Sequence, residues 1–229
     1  MHRRLPTQNR TGWASNQLNE VSERFVAHCR FVTRPVLDIG AAFGLASLAA
    51  IEAGATVYAN DLDPAHLAQI TPAEKLILLP GRFPRDFDLP PASLDAVHAS
   101  NVLHFLPGDD LTRGLALARR WLAPGGRLFI QVGTPYQQPF QAFLPTFEAR
   151  LAAGDPWPGW IPDVRAISQH KKLSQIPPSL HLLDQATLGR LVLAHGFAIE
   201  RCWTYCRRDL PRSMQLDGRE GVGLVAISL

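Results

Sequence analysis

The sequence predicts one doubly wound α/β domain, built on a mostly parallel seven-stranded sheet with an antiparallel last strand. Three observations carry this reading. Strand-like and helix-like segments alternate from about residue 35 to residue 132, the pattern of a parallel sheet covered by helices. The first strand, Val36 to Ile39, runs straight into a glycine-bearing turn, VLDIGAAFG, the position at which open α/β sheets bind ligands. The last two strands, near 199–205 and 222–229, are joined by a loop without a helix, which requires them to run antiparallel.

The elements follow in order. Pro35 opens the first strand, and an Ala- and Leu-rich helix runs to about Ala53, ended by Gly54. Thr56 to Ala59 is a short second strand. Asp63-Pro64 reads as a helix N-cap with proline at the first helical position. Leu76 to Leu79 and Leu94 to Ala99 are apolar strands. Asp109 or Asp110 caps a helix with Leu111, Leu115, Ala118 and Leu122 on one face. Pro124-Gly125-Gly126 is a turn, and Arg127 to Val132 is a fifth strand with a β-prone Leu-Phe-Ile centre. Asp184 caps a later helix with Leu188, Leu191, Val192 and His195 on one face, ended by Gly196.

The 229 residues suit a single domain spanning the whole chain, 1–229, with a helical N-terminal segment at 1–33. Residues 133–181 hold many prolines, Tyr136, Trp157 and Trp160, with little periodicity. They read as a lid-like insertion. The composition is 46% hydrophobic and 19% charged, that of a folded globular chain. A net charge of +3 is too weak for a nucleic-acid partner. The short basic clusters Arg3-Arg4, Lys171-Lys172 and Arg207-Arg208 read as solvated faces. No apolar stretch is long enough to span a bilayer, and no secretory signal is expected. Three cysteines, Cys29, Cys202 and Cys206, lack the spacing of a zinc site or a disulfide framework and suit a reducing, cytoplasmic setting. No metal motif is present.

The glycine turn carries the functional signal. Gly40 and Gly44 let the backbone approach a ligand without a Cβ in the way. Asp38 precedes the turn, and Asp61 closes the second strand about 20 residues later, where an acidic side chain reaches ribose hydroxyls. A dinucleotide fold wants a pyrophosphate at a bare helix N-terminus and a GxGxxG fingerprint. Here the pattern is Gly40, Ala42, Gly44, behind a carboxylate. A negative charge repels phosphate and suits a cation, such as a sulfonium bearing an amino group.

The run VLDIGAAFG, then ANDLDP, SLDAVHASNVLHFL and LAPGGRLFIQV, resembles the class I S-adenosylmethionine-dependent methyltransferases over roughly residues 33–133. The resemblance implies a Rossmann-like methyltransferase fold, S-adenosylmethionine as cofactor and methyl transfer as activity. It implies that Asp38, Gly40, Ala41 and Gly44 form the cofactor loop, that Asp61 binds the ribose hydroxyls and that Leu62 packs on the adenine. Two departures stand out. Ala42 replaces the family's middle glycine, with a slightly shifted loop expected. Gly81-Arg82-Phe83 stands where Gly-Asp-Ala is usual, so the adenine would rely on the backbone near Phe83, with Asp86 and Asp88 as substitutes or as plain loop residues.

An acceptor oxygen or carbon needs a base, whereas an amine needs little. The segment Ser100 to His104 faces the donor methyl in relatives. Ser100 is thus a cofactor contact, and His104 is either a base or a packed histidine. Tyr136, just past the fifth strand, either orients an acceptor or covers the core. The absence of a DPPY-like or NPPY-like tetrapeptide after the fourth strand argues against nucleic acid. A small-molecule acceptor is the expectation, beside a protein side chain or a nonenzymatic binding role. The lid reading puts part of 133–181 over the pocket, with Tyr136 at its edge.

Overall fold

The computed structural model describes residues 4–7, 12–171, 173 and 176–229. Arg3 and Lys172 of the basic clusters lie outside the described residues. The N-terminal segment is not wholly helical: strands β1 (Arg4–Pro6) and β2 (Trp13–Ser15) form an antiparallel hairpin ahead of helix α1 (Glu20–His28). Asn19 caps α1, its Oδ1 accepting from the N–H groups of Val21 and Ser22 at 3.0 Å each. Glu20 and Glu23 in the first turn suit the positive end of the helix dipole.

The parallel core begins with β3 (Val36–Ile39), every residue of which is buried. Helix α2 (Leu45–Glu52), β4 (Val57–Asp61), α3 (Pro64–Leu67) and β5 (Leu76–Pro80) complete one half of the sheet. Asp63 caps α3 through the Ala65 N–H, as its sequence predicts. The other half holds β6 (Leu94–Ser100), α4 (Gly108–Trp121) and β7 (Leu122–Gly133). Neither Asp109 nor Asp110 is the N-cap of α4. Pro107 holds that place, and the two carboxylates sit in the first turn. Leu122 leaves the helix and opens β7, which runs through Pro124-Gly125-Gly126 with an irregular pairing step against β6.

Residues 134–181 carry helix α5 (Leu144–Ala152) and a two-residue pairing of β8 (Trp160–Ile161) with β9 (Leu180–His181). They gather an apolar cluster of their own around Phe140, Phe143, Phe147, Ile161 and Leu180. The chain ends with α6 (Gln185–Ala194), β10 (Phe197–Tyr205) and β11 (Gly221–Ser228). Asp184 caps α6 through the Thr187 N–H.

The seven strands lie in the order β10-β11-β7-β6-β3-β4-β5. β11 runs antiparallel to both its neighbours, and the remaining pairs are parallel. Both faces are covered. Val21 and Phe25 of α1 pack with Ala50 of α2 on one side, against Val36, Val57 and Phe129. Leu111, Leu115 and Trp121 of α4 pack with Leu188 and Val192 of α6 on the other. The strand order reverses between β3 and β6, so a crevice opens at their carboxyl ends.

Candidate active site

The glycine turn is tied down by its own amides. The Ala41 N–H donates to Asn60 O at 2.8 Å, the Ala42 N–H to Asp61 Oδ2 at 2.9 Å, and the Gly44 N–H to Ala41 O at 2.8 Å. The three amides face inward, so they form no cradle for a phosphate. Gly40 and Gly44 have φ of +70° and +77°, and Ala42 adopts the same left-handed region at 49°. Ala42 therefore takes a left-handed backbone with a side chain attached, at a cost in local strain. Gly44 does not line the cavity below. It starts α2, and a Cβ there would meet Ile70 Cγ2 at 2.6 Å.

A cavity of about 400 Å³ occupies the crevice, within the usual range for a small ligand. Asp38, Gly40, Ala41, Asp61, Leu62, Phe83 and Ser100, all read from the sequence, border it. Leu62 is 54% exposed at the rim, available to an aromatic ring. Phe83 turns its ring into the core beside Trp121. Asp86 and Asp88 do not border the cavity. Asp86 is bonded by the Arg82 side chain, which holds its carboxyl below the usual range, and Asp88 binds Arg120 and the Trp121 Nε1–H.

Both buried acids carry a web of partners that the sequence does not announce. Asp61 Oδ1 accepts from the Asp63 N–H at 2.9 Å and lies 3.2 Å from His66 Nδ1. Asp38 Oδ2 accepts from Ser47 Oγ at 2.7 Å, and its Oδ1 lies 2.7 Å from His98 Nδ1. The far nitrogen of His98 is 3.0 Å from Ser22 Oγ on α1. Asn19 adds a second tie from the same helix, its Nδ2 donating to Ser100 Oγ at 2.9 Å. Asn60 donates from its amide to Leu79 O and Gly81 O, fixing the loop that carries Phe83. Ser22, Asn60 and His98 border the cavity and were not read from the sequence, because their partners lie up to 76 positions away.

The roof differs from expectation. Residues Gly12 to Ser15, Gln17, Leu18 and Asn19 cover the cavity, and Pro177 is the one described residue of 133–181 that borders it. Trp157 and Trp160 instead flank the buried ring of His181, at 5.1 and 5.6 Å between centroids. Tyr136 borders neither this cavity nor the next. Its ring lies under the Arg219 guanidinium, 3.7 Å away, with its edge toward Phe147. Burial pushes its phenol up, away from use as a base.

A second cavity, of about 100 Å³, adjoins the first. Gly12, Trp13, Asn101 and Phe105 border both. His104 borders the second, with Gln137, Phe140 and Arg207. Arg207, read as part of a solvated cluster, is 4% exposed and donates from Nε and Nη2 to Asp209 at 3.0 and 2.6 Å.

An open sheet with an acidic, glycine-bearing crevice at its switch point defines a nucleotide-type ligand site suited to a cation rather than a phosphate. The chain matches the family model described as "Methyltransferase domain" over residues 37–130. Its fold is similar to that of an S-adenosylmethionine-dependent methyltransferase from Mesorhizobium loti, 21% identical with a TM-score of 0.64, over 91% of this chain and 98% of that one. A methyltransferase from Methanosarcina mazei is 14% identical with a TM-score of 0.66, over 93% and 99% of the two chains. The 1,6-didemethyltoxoflavin-N1-methyltransferase of Burkholderia thailandensis, with bound 1,6-didemethyltoxoflavin and S-adenosylhomocysteine, is 18% identical with a TM-score of 0.58, over 90% and 76%. No curated protein sequence matches the chain. No helix among the described residues is long and apolar enough to cross a membrane.

Proposed function

We propose that this chain is a methyltransferase that uses S-adenosylmethionine to methylate a small molecule. The observation that carries the reading is the pair of adjoining cavities with Asn101 in their common wall, one of cofactor size and one of small-acceptor size. The residues of the larger cavity fit the cofactor. The buried carboxylate of Asp38 suits its cationic end, Asp61 is assigned to the ribose hydroxyls, and the exposed Leu62 offers apolar surface to a purine, with the backbone near Phe83 beside it. Gly40, Ala41 and Ser100 complete the wall, with Gly44 supporting it from behind.

The cofactor supplies a methyl group already activated by its sulfonium, so holding the acceptor in line accounts for much of the rate. The chain's own residues then have three tasks. Asp38, pinned by His98 and Ser47, keeps the crevice negative. The N-terminal hairpin and α1 exclude water from above. His104, in the wall of the smaller cavity, receives the acceptor's proton. Tyr136 is given no part in this scheme. Three free thiols suit a reducing, cytoplasmic compartment. Incubating the protein with isotopically labelled donor and a library of small acceptors, read by mass shift, tests the reading. His104→Ala is expected to lower turnover about a hundredfold, the lower end for loss of a general base, while S-adenosylhomocysteine affinity holds. A protein-only acceptor profile would contradict it.

A further inference from the structure

Asn101 stands where the two cavities meet, in a left-handed backbone conformation at φ 58°. Its side chain has no freedom of choice. Arg207 Nη1 donates to Asn101 Oδ1 at 2.7 Å, and Gln131 Nε2 donates to the same oxygen at 3.0 Å. A guanidinium has donors and no acceptor, so the amide oxygen must face it and the amide nitrogen must face the other way. That nitrogen points to Ser100 Oγ, 3.3 Å away. Ser100 Oγ also accepts from Asn19 Nδ2, which leaves its own hydroxyl hydrogen to donate. The junction thus offers hydrogens from Asn101 and Ser100 and no side-chain lone pair from Asn101.

Arg207 orients this arrangement without presenting a net charge, because Asp209 neutralises it through two close contacts. The smaller cavity is otherwise walled by apolar groups such as Phe140, Leu180 and Met214, with His104 and Gln137 adding a polar edge. Its volume of about 100 Å³ is smaller than the roughly 150 Å³ of an apolar cavity that holds benzene, which caps the occupant at a single ring.

We propose that the smaller cavity is the acceptor site, and that it takes a neutral, one-ring, largely apolar molecule presenting a hydroxyl oxygen to the Asn101 amide. This rests on the methyltransferase reading above. Donors at the junction favour an oxygen lone pair over an amine hydrogen. A neutralised Arg207 gives no advantage to a carboxylate.

Calorimetry on the full chain saturated with S-adenosylhomocysteine, titrated with phenol, aniline, benzoate and toluene, tests this. Phenol is expected to bind about tenfold more tightly than the other three, the scale of one hydrogen bond to a matched partner. Asn101→Asp keeps the size, the tolerance of the left-handed backbone and the partnership with Arg207, and it replaces the amide hydrogens with lone pairs. Phenol can then still bind by donating its own hydrogen, so the informative probe is aniline, which donates and hardly accepts: it should bind like toluene to the wild type and more tightly than toluene to the variant. Aniline or benzoate binding the wild type as tightly as phenol or more so, no gain of aniline over toluene in Asn101→Asp, or no probe binding to protein that does bind S-adenosylhomocysteine would each overturn the proposal. Failure to bind S-adenosylhomocysteine would instead bring down the methyltransferase reading, and the acceptor site with it.

Discussion

Ala42 shows what one methyl group does in a turn shaped for glycine. Its φ of 49° costs an L-residue on the order of 1 kcal/mol or more, and the Asp61 carboxylate holding its N–H helps to keep it there. Ala42→Gly removes the strain and adds back some disorder to the unfolded chain. The expected result is a gain of about 0.5–1 kcal/mol in urea unfolding, with the Asp61 contact kept. His181 is the second informative residue. It is fully buried, its Nδ1 lies 3.2 Å from Leu106 O, and desolvation lowers its pKa to about 4. The folded state disfavours the proton, whereas the unfolded histidine takes it near pH 6.5. The stability this neutral ring contributes is therefore whole above pH 6.5 and is lost as pH falls toward 4, by on the order of 2–3 kcal/mol. Urea midpoints of the wild type and His181→Gln, compared at pH 7 and pH 4.5, check this. The wild type should lose more stability than the variant over that interval.

At the scale of elements, the N-terminal hairpin covers the larger cavity, and the inserted segment walls the smaller one through residues such as Gln137, Phe140, Ile176 and Leu180. Tryptophan and proline in 133–181 read as a lid, yet Trp157 is a wedge between α4 and His181. A Cβ on Gly108, at the start of α4, would lie 2.2 Å from Trp157 Cε2. Gly108→Ala is expected to cost about 1–3 kcal/mol in urea unfolding, the scale of overpacking a filled site. An unperturbed variant would show that Trp157 is free to move. The hairpin roof was not legible, because β1 and β2 are three residues each and carry no alternation long enough to mark a strand. The long elements were legible. β3, β4, β5 and β6 announce themselves as short apolar runs between caps and glycines, and Asp63 and Asp184 mark helix starts that the structure keeps. Asp110 misled as a cap because its carboxylate is taken by Arg85, at 2.8 Å, a partner 25 positions away.

For the molecule as a whole, topology brings together what the sequence keeps apart. The glycine turn, Asp38 and Asp61 could be read from spacing, since they sit at the ends of adjacent strands. Ser22, His98 and Arg207 could not, and Asn101 was legible only as part of the Ser100 to His104 segment, since their bonds cross the sheet or join opposite ends of the chain. The central claim is that the large crevice binds the adenosyl cofactor through the acid closing β4. Calorimetric titration with S-adenosylhomocysteine of the wild type, Asp61→Ala and Asp61→Asn tests it most directly. Asp61→Asn retains an oxygen for the Ala42 N–H and so guards against simple loss of the loop. The wild type should bind, and both variants should bind more weakly by about 1–3 kcal/mol, the scale of leaving buried polar partners unpaired. No binding by the folded wild type, or equal affinity in all three proteins, would contradict the account.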